Sequence, residues 1–278
     1  MVWCDSQFVQ TCLEMALTRI VQLTDLHLYE DPDARFYEIP TRELFQDVVA
    51  HVEQNAGRVD HLVVTGDHTN DDLAVTYEAV RDILRPWHDR AWFVPGNHED
   101  RATLRATFPD RIPGAGAERI NFAFTAGDAL CLGVDTHVPG KVPGHVGADQ
   151  IEWIEGQLEA HDAATVVLFM HHPPILLGLA WMDRIGLAGR EQLQDLVLRE
   201  PRIRLVCCGH VHHESSHRVG AATVVTTPST GLQFSPTSEE AEFVPGAPGY
   251  RIIELDGDSC ATRVVRLPEA RYAPSPAD

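Results

Sequence analysis

Short apolar runs rich in β-branched residues recur along the chain and alternate with stretches of helical spacing. The runs are Arg19–Leu23, His61–Thr65, Ala91–Val94, Ala129–Val134, Thr165–Met170 and Arg204–Cys208, and their brevity and composition predict buried strands. Between the first two, Leu44, Phe45, Val48, Val49 and Val52 fall on one face of a helix spanning Arg42–Asn55. Leu73, Tyr77, Val80 and Leu84 repeat that spacing, as do Ile151, Ile154 and Leu158 behind Asp149, a candidate N-cap. Farther on, Ala221–Thr227, Gly249–Leu255 and Cys260–Leu267 predict further strands with little helix. The expected fold is α/β with two sheets. Ser235–Pro248, with three prolines and Glu239, Glu240 and Glu242, reads as a long irregular loop, a kind that is either functional or mobile.

Composition narrows the function classes. With 278 residues, 44% of them hydrophobic and 23% charged, the chain suits a packed globular protein. The organisation expected is a poorly ordered leader over 1–17, in which Met15 is an alternative start, a single domain over 18–268 and a tail over 269–278. A formal charge of −19 disfavours nucleic acid as a partner, because that binding draws on Lys and Arg contacts to phosphates. An anionic substrate remains open if the site supplies its own cations. The six cysteines, Cys4, Cys12, Cys131, Cys207, Cys208 and Cys260, form no Cys-x-x-Cys pair or dense framework, which suits a reducing cytoplasm. No stretch has the apolar length of a membrane span.

Candidate chemistry gathers directly after the predicted strands. Five segments have that placement: Asp25-Leu26-His27, Gly66-Asp67, Gly96-Asn97-His98-Glu99, His171-His172-Pro173 and Gly209-His210-Val211-His212. Residues two apart in an extended segment leave the same face, so Asp25 with His27, and His210 with His212, form gripping pairs. A carboxylate such as that of Asp67 has two oxygens and can bridge two cations, and imidazole with carboxylate suits Mn, Fe or Zn. Taken singly each piece reads as a turn or cap. Five in order at strand ends imply a mixed nitrogen and oxygen metal site.

These segments resemble the signature of the calcineurin-like metallophosphoesterases: D-x-H, GD, GNH followed by an acid, a later His, and GHxH. The resemblance runs from about Ile20 to Leu267 and implies a four-layer α-β-β-α sandwich of two mixed sheets flanked by helices, with a two-metal centre at the strand ends. It implies that Asp25, His27 and His212 hold one metal, that Asn97, His171 and His210 hold the other, and that Asp67 bridges them. His98 would act on the leaving group, oriented by Glu99, while Asn97, His98 and His212 would contact substrate. Further segments, TDLHL, MHHPPI, CCGHVHHE and TTPSTGLQF among them, resemble bacterial class III cyclic nucleotide phosphodiesterases. That resemblance implies hydrolysis of 3′,5′-cyclic AMP to 5′-AMP by in-line attack of a metal-bridging hydroxide, in an enzyme that pairs with a second copy. A phosphodiesterase of broader or 2′,3′-cyclic specificity is the alternative, and a non-catalytic scaffold of the same fold a more distant one.

Other candidates have blander readings. His172 and His213 point away from the ligand face and are read as supporting or surface residues. His68 is either a substrate contact or a solvated loop residue. His51, His61, His88, His161 and His217 are expected at the surface. Cys207 and Cys208 are expected in the core, and Trp181 and Met182 are expected to pack.

Overall fold

The computed structural model describes residues 17–276; Cys4, Cys12 and Met15 lie outside them. Two sheets form the centre. The first has the order Ser259–Arg266, Gly249–Asp256, Thr18–Leu23, His61–Thr65, Ala91–Val94, with its last three strands parallel and the C-terminal hairpin added antiparallel. The second runs Ser215–Val219, Ala222–Thr226, Ile203–Cys208, Val166–Met170, Ala129–Val134, Phe122–Ala126, parallel in the middle and antiparallel at both edges.

Strand alternation sorts side chains into three apolar layers. Ile20 and Val63 point between the sheets, against Phe122, Phe169 and Cys207. Their neighbours Val21, Leu23, Leu62 and Val64 face the helix Thr41–Asn55 and bury Phe45, Val48, Val49 and Val52. On the far side, Leu132, Leu168 and Val206 pack against Ile154 and Leu158 of the helix Ala148–Ala160 and Leu193, Leu196 and Val197 of the helix Arg190–Arg199. The result is the four-layer α-β-β-α sandwich, which aims the C-terminal ends of the parallel strands of both sheets at one crest.

Several expectations need adjustment. Gly147, not Asp149, stands at the N-cap of Ala148–Ala160, and Asp149 sits in its first turn paired with Arg119. The helix Arg190–Arg199 was unforeseen although Leu193, Leu196 and Val197 carry helical spacing; the strand Phe122–Ala126 and helix Arg101–Thr107 are likewise additional. Within Ser235–Pro248, Phe243–Val244 pairs antiparallel with Gln233–Phe234. Cys131, Cys207 and Cys208 are free and buried. No helix among the described residues is long and apolar enough to cross a membrane.

Candidate metal centre

All five chemical segments end on the crest between the sheets, and their backbones are unusual there. Asp25, His27, Asp67, His210 and His212 all have positive φ, between 49° and 71°. Left-handed backbone is costly for residues with a Cβ and persists where surrounding contacts over-determine it. Those contacts are visible. The Asp25, Leu26 and His27 amides donate to the Gly66 and Asp67 carbonyls, and Ser229 Oγ donates to the Asp25 carbonyl at 2.7 Å. Gly66 itself has φ of 96° and backs onto Gly96 and the His171 ring, leaving no room for a Cβ.

Two ligand groups result, sharing one carboxylate. Asp25, His27, Asp67 and His212 offer atoms within 4.8 Å of one another, all buried. Asp67 Oδ2 lies 3.6 Å from His27 Nε2 and 3.4 Å from His171 Nε2, so it stands between the two groups. On its second side, His171 Nε2 is 3.2 Å from both Asn97 Oδ1 and His210 Nδ1. The structure thus brings together all seven residues for which the resemblance implied a ligand role.

The outer ring nitrogens show that the inner ones are aimed at something. His27 Nδ1 donates to Asn70 Oδ1 at 3.1 Å, His171 Nδ1 to the Thr65 carbonyl at 2.8 Å, His210 Nε2 to the Ile185 carbonyl at 2.9 Å, and His212 Nδ1 to the Leu232 carbonyl at 2.9 Å. Each such bond sets the tautomer and leaves a lone pair on the inner nitrogen of the neutral ring. His27 Nε2 and His212 Nε2 then face each other at 3.1 Å, acceptor against acceptor. A cation between them resolves that opposition, and the donor set fits a borderline transition metal.

Protonation follows the same layout. Burial pushes His27 and His210 down to about 3, so both rings are neutral. His171 is the exception. Burial works against its charge, but the Asp67 and Asp25 carboxylates, with the Thr65 carbonyl, together raise it to about 9. Asp67 is correspondingly held well below the usual carboxylate range by the His171, His98 and His27 rings, against the effect of burial. Asp25 is lowered too: burial acts against its charge, but the His212 and His171 rings together hold it below the usual carboxylate range. A bound cation would take the place of the His171 proton.

Two expected roles change. Glu99 makes no hydrogen bond to His98 among the described residues. Its carboxylate accepts from the backbone N–H groups of Asp67 at 2.8 Å, His68 at 2.7 Å and Gly96, so it holds the loop that carries the bridging carboxylate. His68 is neither a substrate contact nor a solvated residue. It is fully buried, 3.2 Å from Glu99 and packed near Phe93 and Tyr77. His98 is half-buried, edge-on to His27 with ring centroids 4.9 Å apart, and its amide donates to Asp67 Oδ1 at 3.0 Å.

His172 is close enough to His171 and His210 to join their group, yet both its nitrogens are engaged, by Thr136 Oγ1 at 2.8 Å and the Val142 carbonyl at 2.9 Å. It therefore supports the site and is not at the surface. His213 is also buried. Trp181 packs edge-on to Phe234 and donates to the Ser238 carbonyl, and Met182 lies in the same apolar cluster. Sequence reasoning passed over Asp135, which binds Arg101 through two bonds of 2.6 and 2.8 Å and accepts from the His137 and Ile120 amides. The Val-Asp-Thr-His segment after a predicted strand was the available signal.

Comparison with known proteins identifies the family. Residues 18–214 match the calcineurin-like phosphoesterase family model. The chain is 30% identical over 240 residues to the 3′,5′-cyclic adenosine monophosphate phosphodiesterase CpdA of Pseudomonas aeruginosa, covering 86% of each chain. It is 28% identical over 263 residues to the protein of that name from Escherichia coli (strain K12), covering 94% of each. Among solved structures, a dimetal phosphatase from Danio rerio superposes with a TM-score of 0.63 at 16% identity, over 90% of this chain and 98% of that one. With its sandwich, its strand-end crest and its paired ligand groups, the chain belongs to the calcineurin-like phosphoesterase family.

Proposed function

We propose that the protein is a metal-dependent phosphodiesterase that hydrolyses 3′,5′-cyclic AMP to 5′-AMP. The observation that carries the chemistry is Asp67 Oδ2, placed between two histidine groups whose inner nitrogens face inward. The substrate rests on likeness to the two bacterial relatives over most of their length. Asp25, His27 and His212 would hold one cation, Asn97, His171 and His210 the other, and Asp67 both. When bound, such a pair lowers the pKa of water and neutralises charge on the phosphoryl oxygens.

The chain's own groups do the rest. The carbonyls that clamp the outer ring nitrogens keep the ligand rings from turning. The Glu99 carboxylate draws three backbone N–H groups together and so positions Asp67. His98, half-exposed at the edge of the centre, is placed to give a proton to the departing ribose oxygen or to stabilise its charge, an effect typically worth about 10²- to 10⁴-fold. Asn97, His98 and His212 would contact the phosphate. Ligand type leaves Mn, Fe and Zn as the candidate metals, and the buried free cysteines suit a cytoplasmic enzyme.

The test is metal content measured with hydrolysis of 3′,5′-cyclic AMP, 2′,3′-cyclic AMP and bis(p-nitrophenyl) phosphate by Mn-loaded protein. Two metals per chain and 5′-AMP from the first substrate are the expected result. Turnover of the artificial diester alone would return the natural substrate to a broader phosphodiester class.

A further inference from the structure

Beside the metal centre lies a cavity of about 550 Å³ whose lining includes no carboxylate, in a chain of formal charge −19. Its walls are largely apolar: Val138, Pro139, Pro143 and Ala188. The polar groups that line it are His137, His145, Lys141, Arg119 and Arg101. Three links tie it to the centre. Arg101 lies two residues after the Gly96–Glu99 segment and donates to the His137 carbonyl. The His137 ring is near enough to Asp67 and Glu99 to feel both charges. Gly144, on the cavity wall, backs onto the His172 ring that supports His171 and His210.

Two features of this lining are not explained by packing. His137 is 95% buried, being 5% exposed, yet its Nδ1 has no hydrogen-bond partner within the protein, and leaving a buried polar atom unpaired is unfavourable. Lys141 is the only lysine in the chain. It is exposed and forms no ion pair among the described residues, whereas Arg101 and Arg119 are already held by Asp135 and Asp149. Apolar walls with a few convergent polar groups are the usual make-up of a site for a flat organic ring.

We propose that this cavity receives the nucleobase of the substrate, with His137 and Lys141 hydrogen-bonding to its ring nitrogens and the Val138–Pro139 and Pro143 surfaces against its faces. A purine has several ring acceptors for these two side chains and no charge that would need a second cation. The assignment rests on the cyclic nucleotide reading, which it deepens by giving the reaction a base-specific contact outside the metal signature.

The experiment uses Lys141→Gln and His137→Phe in the full-length, Mn-loaded protein, each checked for wild-type metal content and melting temperature. Lys141 is exposed, so its variant serves if the His137 change disturbs folding. The ratio of kcat/KM for 3′,5′-cyclic AMP to that for bis(p-nitrophenyl) phosphate, which has no base, is expected to fall about tenfold through KM, the size of one or two lost hydrogen bonds. Adenosine should inhibit hydrolysis of the artificial diester by the wild type and do so about tenfold more weakly in the variants. An unchanged ratio and unchanged adenosine inhibition would overturn the assignment even if cyclic AMP is a good substrate. Wild-type protein that ignores cyclic AMP but is inhibited by adenosine through these residues would instead sink the substrate reading and keep the pocket.

Discussion

Two buried polar regions lie one above the other in this molecule and are built on opposite terms. At the crest, ring nitrogens and carboxylates crowd together with like partners facing each other, as His27 and His212 do, on a backbone held at positive φ. Directly beneath, between the sheets, Gln22, Thr65, Thr227 and Arg251 form a chain in which each donor finds an acceptor. Gln22 Nε2 donates to Thr65 Oγ1 at 2.8 Å, Thr227 Oγ1 to Gln22 Oε1 at 2.7 Å, Arg251 Nε to Thr227 Oγ1 at 2.9 Å and its Nη2 to the Thr226 carbonyl at 2.8 Å. A satisfied network rigidifies a core, whereas an unsatisfied one is retained where a ligand completes it. The contrast separates the residues that hold the sheets together from those proposed to hold cations.

The largest test of that contrast is Asp67→Asn. Loss of the shared carboxylate should lower phosphodiester hydrolysis by on the order of 10³-fold or more, equivalent to about 4 kcal/mol in the barrier, and remove most bound metal. Elemental analysis with a kinetic assay checks it, and near-normal turnover would defeat the two-metal reading. Acid should act next most strongly, on metal-free protein. His27 and His210 are lowered to about 3 in the fold from a usual value near 6.5, so the unfolded chain binds more protons between those limits. Their stabilisation is complete above about pH 6.5 and is lost as pH falls toward about 3. His171, raised to about 9, works oppositely: its contribution is complete below about pH 6.5 and fades as pH rises through about 9. Urea melts across pH would show both limbs, and a flat profile would contradict the assigned charges.

Glu99→Gln should weaken metal affinity by about 10- to 100-fold, the usual effect of removing a supporting partner, while leaving His98 in place. Calorimetric metal titration reads it, and a change confined to kcat with normal metal binding would restore the expected Glu99–His98 contact. Smallest is Arg251→Met, predicted to cost about 1–3 kcal/mol of stability through unpaired neighbours with metal stoichiometry unchanged. A loss of bound metal in that variant would show that the two regions are not independent.

Legibility in the sequence followed locality. The six early strands and the helix Thr41–Asn55 were readable because periodicity of two or of 3.6 lies within a short window. The five segments that carry the ligand candidates were readable because each hangs on a strand end, most with a glycine or a second candidate within two positions, and the resemblance implied which seven residues in them are ligands. Glu99 and His68 misled for one reason: adjacency in Gly-Asn-His-Glu and Gly-Asp-His says nothing of which way a side chain turns once the loop closes. Glu99 turns back to the Asp67 loop, 32 residues upstream, and takes His68 with it.

The sequence by itself determined the order of the main strands and of the helix between the first two, the inventory of candidate ligand atoms and the negative charge of the chain, since these depend on local pattern and count. Tertiary structure decided the rest. Pairing of strands from both sheets set Asp67 between His27 and His171, carbonyls of Thr65, Ile185 and Leu232 chose which ring nitrogens face inward, and Arg119, His137, Lys141 and Ala188 met around one cavity. Contacts of that kind join residues tens to hundreds of positions apart, and no spacing rule along the chain encodes them.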